Sequence, residues 1–277
     1  MPALDDVLPL LRCPHCEADL KREATAVRCA EGHSFDVARQ GYLSLLAGSP
    51  HTGDTADMVA ARERFLAAGH FDPLADALAE RAEAMVDGSS GAPLIVDLGA
   101  GTGWYLARVL DRLPDALGLA LDVSKPALRR AARAHPGLAA VGADVWGPLP
   151  LRDRVASVVI AVFAPRTVAE IDRILAPGGQ SLVVTPTAEH LHELREPLGL
   201  LGIGEDKPEG SQLTWTLTLD RAAARDAAAM GPSAFHLSPA ELEGRVEALP
   251  ETITVTAAVA LATAGVRGPS RSTDAFC

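Results

Sequence analysis

The chain has 277 residues, which is enough for one large domain or for one large domain with a small appendage. It is 48% hydrophobic and 22% charged, as globular proteins are, and its formal net charge of −11 excludes a general attraction to nucleic acid phosphates. Residues 1–12 lack the pattern of a secretory signal, and no apolar run reaches the roughly 18 residues of a membrane span. We therefore expect a cytoplasmic protein without a membrane partner.

Residues 1–47 predict a small module of short strands and loops, because they are dense in cysteine, histidine and turn residues. The pattern C-x2-C-x12-C-x3-H has the spacing of a closed tetrahedral zinc site, and its members are Cys13, Cys16, Cys29 and His33. Such a module is too small for its own core, so that bound zinc would supply its folding energy. A redox dithiol at Cys13 and Cys16 is the alternative. It would leave Cys29 and His33 without a role.

Residues 48–91 predict a linker followed by two helices. The linker is glycine- and proline-containing and covers 48–53. A first helix, which Asp54 or Thr55 would cap, has apolar residues recurring on one face and ends at Gly69. A second helix is predicted over 73–86, before a loop over 87–91.

From residue 94 short apolar strands alternate with helices, which is typical of an open parallel sheet with helices on both faces. Strands are predicted over 94–98, 118–121, 139–142, 155–162 and 180–185, and helices over 104–112, 125–135 and 168–175. Two further strands over 213–219 and 253–261 flank a helix over 239–249, which Ser238 would cap. We expect an α/β domain over 92–265 and a flexible tail over 266–277.

A glycine-rich turn, DLGAGTG over 97–103, joins the first strand of this domain to a helix. Its residues Gly99 and Gly101 allow positive φ and close approach of a ligand, and the helix N-terminus behind them offers free N–H groups. The dinucleotide fingerprint would require glycine where Trp104 stands. Asp97, two residues before the first glycine, suits instead the ammonium group of a methionine.

Two further acids follow the next two strands. Asp122 ends the second strand, where a carboxylate can accept both ribose hydroxyls, and Asp144 ends the third. Together with LAPGG over 175–179, the turn and these acids resemble the cofactor motifs of class I methyltransferases. The expected cofactor is S-adenosylmethionine, and we predict that Asp97, Gly99, Asp122 and Asp144 contact it.

In the order of its motifs, nearly the whole chain resembles the 23S rRNA (guanine-N1)-methyltransferases, which include the tylosin-resistance enzymes of macrolide producers. The stretches that carry this resemblance lie over 13–46, 53–73, 163–165 and 185–191. It implies a Rossmann-like class I methyltransferase sheet behind a module in which the cysteines and histidine above bind structural zinc. It also implies cofactor contacts from Phe71, Gly101, Thr102 and His190. Phe71 stands where tyrosine is common, and the segment over 204–212 is shorter than is usual in the family.

The resemblance implies an enzyme of the macrolide-resistance type that methylates N1 of a guanine in a 23S rRNA hairpin. The alternatives are a small-molecule methyltransferase derived from the same family, which the acidic charge would fit, and a non-catalytic zinc module on this scaffold. The intact cofactor motif argues against the last. A homodimer is also possible. RNA would contact a basic helix face formed by Lys125, Arg129, Arg130 and Arg133.

No residue is predicted as the catalytic base. Guanine N1 carries a proton at neutral pH, so some group must accept it during the attack. The candidates are backbone carbonyls and three side chains: His190, which is also a predicted cofactor contact, Asp54, which is also a predicted helix cap, and Asp57. Trp146 has two readings as well, stacking on a base or packing in the core.

Overall fold

The computed structural model describes residues 2–48, 51–86, 91–202 and 209–265. Parts of the predicted linker (49–50), of the loop after the second helix (87–90) and of the short segment (204–208) lie outside the described residues, as does the predicted tail over 266–277. Within the described residues the chain forms a sheet of three strands and a sheet of eight strands.

The N-terminal part contains the small sheet and also contributes to the large one. It begins with helix α1 and a 3-10 turn, Leu8–Leu10. Strands β1 to β3 then form the antiparallel three-stranded sheet, and the two-residue strand β4 pairs in parallel with the strand Leu138–Gly142. The bounds are α1 Pro2–Val7, β1 Leu20–Glu23, β2 Ala26–Cys29, β3 Ser34–Asp36 and β4 Leu43–Ser44.

The large sheet contains every strand predicted from residue 94 onward. Its order is β10-β11-β9-β8-β5-β6-β7-β4, in which the strands from β9 to β4 are parallel. The sheet is mixed at one edge, because β11 runs antiparallel to both β9 and β10. The bounds are β5 Leu94–Leu98, β6 Leu117–Asp122, β7 Leu138–Gly142, β8 Ala156–Val162, β9 Leu175–Pro186, β10 Ser211–Asp220 and β11 Thr252–Gly265.

Helices connect these strands. Thr55 caps α2 by accepting a hydrogen bond from the Met58 backbone, so the alternative cap, Asp54, is not used. Helices α7 and α8 were not predicted, since one contains Pro197 and the other is mostly alanine and shows little apolar periodicity. The bounds are α2 Ala56–Ala67, α3 Asp72–Val86, α4 Trp104–Arg112, α5 Lys125–Ala131, α6 Val168–Ile174, α7 His192–Leu198, α8 Arg221–Ala229 and α9 Pro239–Glu247.

Side chains of the central strands alternate between two apolar clusters, one on each face of the large sheet. In β5, Ile95 belongs to a cluster that also includes buried residues of α2, α3 and α4. Its neighbours Leu94 and Val96 belong to the other cluster, together with residues of α1 and α6. This alternation is the period-two pattern of a strand that is buried on both faces.

The N-terminal part covers the second face of the sheet, where further helices were expected. Leu4, Leu11 and Val27 lie in the same apolar cluster as Val96 of β5. The backbone N–H of Arg12 donates to the Pro150 carbonyl at 3.1 Å, beside the bridge between Leu11 and Leu151. The N-terminal part therefore shares its core with the sheet. A boundary at residue 47 stays a prediction, since β4, which precedes it, is an edge strand of the large sheet.

Among the helices described, none has the length and apolar character needed to cross a membrane.

Candidate active site and metal site

A cavity of about 630 Å³ opens at the carboxyl ends of the parallel strands. Ligands of open α/β sheets bind at this end, because the loops after successive strands meet there. The structure brings all the predicted cofactor residues into its wall: Phe71, Asp97, Gly99, Gly101, Thr102, Asp122, Asp144 and His190.

The glycine turn forms the cavity wall after β5. Gly99 has a φ of +67° and Gly101 a φ of +56°, a left-handed conformation that side chains rarely adopt. A Cβ on Gly99 would lie 2.7 Å from the Cβ of Ala164, which is closer than two carbon atoms can pack. Glycine at these positions therefore leaves the backbone accessible to a ligand.

Three carboxylates lie side by side at the ends of neighbouring strands. Asp122 is oriented by the backbone N–H groups of Gly101 and Ser124, which donate to it at 2.8 and 2.7 Å. Asp97 is only 2% exposed, and burial together with the nearby charge of Asp122 raises its pKa to about 8. The free protein therefore holds Asp97 largely protonated at neutral pH.

Asp144 is held by the segment that precedes α2. Both the backbone N–H of His51 and its Nδ1 lie within 3.0 Å of one carboxylate oxygen, and the backbone N–H of Trp146 donates to the other at 3.0 Å. Burial opposes ionisation of Asp144, but these hydrogen bonds outweigh it and hold the pKa below its ordinary value. The predicted linker thus contributes a side chain to the cavity.

His190 and Phe71 form a buried aromatic part of the cavity wall. The centroid of the Phe71 ring lies 5.8 Å from that of His190 and 5.4 Å from that of Trp215. The backbone N–H of Ala258 donates to Nδ1 of His190 at 3.2 Å, so the neutral ring carries its hydrogen on Nε2. Burial lowers the pKa of His190 to about 4. His190 is thus a hydrogen-bond donor and a poor proton acceptor.

The other two candidate bases differ in position. Asp57 is exposed and does not belong to the cavity wall. Asp54 lies in the wall, where its carboxylate pairs with Arg62 of α2. The geometry therefore leaves the catalytic base unassigned.

Two aromatic side chains at the cavity mouth are exposed. Trp146 is 55% exposed, and its ring centroid lies 5.7 Å from that of His51. Phe163 is 41% exposed and has a φ of +53°, which is strained for a bulky residue. Core packing is excluded for Trp146. The FAP sequence over 163–165 is the signal that could have identified Phe163.

The basic face predicted on α5 is smaller in the structure. Lys125, Arg129 and Arg133 are exposed. Nε of Arg130 donates to the carboxylate of Glu63 on α2 at 2.8 Å, so the charge of Arg130 is already paired.

The three cysteines and His33 converge on one point in the N-terminal part. All four ligand atoms lie within 4.8 Å of one another. Cys13 Sγ and Cys29 Sγ lie 3.6 and 3.3 Å from His33 Nδ1, and Cys16 Sγ lies 3.6 Å from Cys29 Sγ. Bonds of about 2.0–2.3 Å to zinc would space tetrahedral ligands about 3.3–3.8 Å apart, so the set fits one zinc ion.

His15 stays outside the ligand set although it lies between two ligands in sequence. Its ring is 4.9 Å from that of His33 and is stacked on Phe35 at 5.9 Å. The convergence of Cys29 and His33 with the first two cysteines favours the metal site over a redox dithiol.

Comparison with known proteins supports both parts of the chain. Residues 11–48 match the zinc-ribbon family described as "RlmA, N-terminal", and residues 95–179 match a family described as "Methyltransferase domain". A 23S rRNA (guanine(748)-N(1))-methyltransferase of Streptomyces fradiae is 48% identical, over 92% of this chain and 96% of that protein.

Two more relatives carry the name 23S rRNA (guanine-N(1)-)-methyltransferase provisionally. The one from Micromonospora griseorubida is 52% identical over 93% of this chain and 97% of its own length. The one from Bacillus subtilis (strain 168) is 34% identical over 68% of each protein. The chain therefore belongs to the family of 23S rRNA (guanine-N1)-methyltransferases, and it is an S-adenosylmethionine-dependent methyltransferase with an N-terminal zinc ribbon.

Proposed function

We propose that the protein transfers the methyl group of S-adenosylmethionine to N1 of a guanine in a 23S rRNA hairpin. The observation that carries this proposal is a single cavity with a row of carboxylates on its floor and exposed aromatic rings at its mouth. The floor suits the cofactor, and the mouth suits an unstacked base.

The cofactor site follows the order of the strands. Asp97, Asp122 and Asp144 belong to β5, β6 and the loop after β7, which are neighbours in the sheet. Adjacent strands lie about 4.8 Å apart, so the three acids span a row of about 10 Å. Methionine, ribose and adenine follow one another along such a row. In this arrangement Asp97 pairs with the ammonium group, Asp122 accepts the ribose hydroxyls and Asp144 lies beside adenine.

The substrate enters from the mouth. Enzymes that act on a base turn it out of its stack, and proteins that read RNA loops stack unpaired bases on aromatic rings. Trp146 and Phe163 offer such rings, and Arg166 and Arg195 supply positive charge in the same wall. The cofactor supplies an activated methyl group for an in-line displacement, so that the residues of this chain act mainly by positioning the two reactants.

The test is incubation of the zinc-loaded protein with labelled cofactor and an unmodified 23S rRNA hairpin, followed by mapping of the labelled base. We expect one methyl group at N1 of one guanine, which blocks base pairing and stops reverse transcription there. A hairpin with adenine at the mapped position is the control and should accept no label. If the protein modifies neither this hairpin nor intact 23S rRNA, the rRNA proposal fails and the small-molecule alternative replaces it.

The same reaction tests the basic face. Replacing Lys125, Arg129 and Arg133 with alanine should weaken binding of the hairpin and reduce the slope of log affinity against log salt by up to about 0.7–0.9 per lost phosphate contact. The affinity for S-adenosylhomocysteine should not change. The control is a variant in which alanine replaces Arg81, Arg108 and Arg112, so that the net charge changes by the same amount. Equal RNA binding by both triple variants would contradict a role for the basic face.

The affinity for S-adenosylhomocysteine should rise from about pH 6 to about pH 8. Asp97 binds an ammonium group only when ionised, and below its pKa of about 8 the free protein must first release a proton. The gain is at most about tenfold per pH unit and ends near pH 8. Calorimetry in two buffers of different ionisation enthalpy measures both the affinity and the released proton. Asp97→Asn should bind more weakly with no such rise, and a flat profile in the parent would contradict this role.

The proposal places the chain in the cytoplasm, where ribosomal RNA is found. Homodimer formation stays a prediction, which light scattering on the zinc-loaded chain would test.

A further inference from the structure

The cavity wall beside the glycine turn contains a guanidinium group that the assignments above leave without a role. Arg62 lies on α2, within the stretch over 53–73, and its side chain is 26% exposed. If Gly101 carried a Cβ, that atom would lie 3.2 Å from Nη1 of Arg62. The guanidinium therefore faces the part of the turn that glycine leaves open.

We propose that Arg62 binds the carboxylate of the methionine part of the cofactor. This inference rests on the proposed cofactor site and adds the group that recognises its one negative charge. The methionine end carries an ammonium and a carboxylate on the same carbon atom, so its site needs an acid and a cation close together. Asp97 at the start of the turn and Arg62 beside Gly101 both line the cavity and supply them.

Two hydrogen bonds hold the guanidinium in place. Nη1 donates to the carboxylate of Asp54, and Nη2 donates to the Met230 carbonyl at 2.7 Å. These bonds come from the segments before α2 and after α8, and they engage two of the five N–H groups that an arginine offers. The remaining N–H groups can serve a carboxylate, and the fixed, planar fork suits bidentate binding.

The charges around Arg62 favour an anion at this place over a purely structural role. Its positive charge favours the ionised forms of Asp122 and Tyr105, which both line the same cavity. The cavity is otherwise acidic at Asp122 and Asp144, whose charges would repel a carboxylate. Arg166 and Arg195 also line the cavity, and they contact the backbone after β8 and β9.

The experiment compares two ligands that differ only in the carboxylate. Calorimetry on the full zinc-loaded chain measures the affinity for S-adenosylmethionine and for decarboxylated S-adenosylmethionine. The parent should prefer the carboxylate form by roughly ten- to a hundredfold, as expected for a charge-assisted bidentate contact. Arg62→Gln should lose this preference and keep its affinity for the decarboxylated ligand. Arg62→Lys should keep part of the preference.

Three results would overturn the proposal. A parent that binds both ligands equally has no carboxylate site. An Arg62→Gln variant that loses affinity for both ligands equally shows a structural role only. Loss of the preference in Arg166→Gln instead of Arg62→Gln assigns the carboxylate to Arg166.

Removing Arg62 leaves the Asp54 carboxylate without its ion-pair partner. The double variant Asp54→Asn/Arg62→Gln therefore repeats the comparison with that negative charge removed as well. The melting temperature and the zinc content of each variant show whether it is folded. No RNA enters these measurements, so that their outcome is independent of whether the substrate is rRNA.

Discussion

Replacing Cys29 with serine is expected to unfold the N-terminal part and to lower the melting temperature of the whole chain. Structural zinc contributes about 10–16 kcal/mol in comparable peptides, which equals the entire stability of a typical domain, about 5–15 kcal/mol. Cys29 is buried in the apolar cluster that Val96 and Leu119 of the large sheet also join. Loss of the metal would therefore expose one face of that sheet.

Metal analysis of the parent should give about one zinc per chain, and differential scanning calorimetry should show one transition that shifts on chelation. His15→Ala is the matched control, since His15 lies within the same knuckle but outside the ligand set. It should keep its zinc and nearly all its stability. A Cys29→Ser chain with an unchanged melting temperature would show that the sheet folds without the N-terminal part.

The second large effect is expected for Asp122→Ala, which should lower the affinity for S-adenosylhomocysteine by more than about tenfold. A charge-assisted bidentate contact contributes about 1.5–3 kcal/mol. The substitution also removes the hydrogen bonds that Asp122 accepts from the backbone N–H groups of Gly101 and Ser124, so the glycine turn loses part of its support. Both losses act on the same ligand.

Calorimetry measures this effect, and Asp115→Ala is the matched control. Asp115 is an exposed acid just before β6, at the end of the strand opposite to Asp122, so the change in net charge is the same. The control should bind S-adenosylhomocysteine as the parent does. Equal affinity in the Asp122 variant would place the ribose elsewhere.

Local sequence patterns were sufficient for the two sites. The C-x2-C-x12-C-x3-H spacing brings its ligands together because a tight turn joins each close pair and the hairpin of β1 and β2 joins the two pairs. The structure places all four ligand atoms within 4.8 Å of one another. The glycine turn with its flanking acids likewise predicts the cavity, because the ends of neighbouring parallel strands must meet. Their roles at the cofactor stay predictions.

Contacts between distant parts of the chain were not predictable in this way. The antiparallel direction of β11 depends on pairing with β9 over a long connection, and strand patterns do not encode direction. The N-terminal part was expected to lack a core, yet it packs on the second face of the sheet, because the apolar surface of a central strand has to be covered on both sides.

For single side chains, too, the residue type can be read from the sequence, whereas the chemistry depends on contacts between distant parts of the chain. The sequence alone places His190 and Arg62 in distinctive stretches and puts a carboxylate at the end of each of two strands. Folding is what brings the backbone N–H of Ala258, 68 residues away, to Nδ1 of His190, and what turns Arg62 toward Gly101. Protonation and charge pairing depend on the burial and on the partners that folding creates, and residues far apart in sequence supply both.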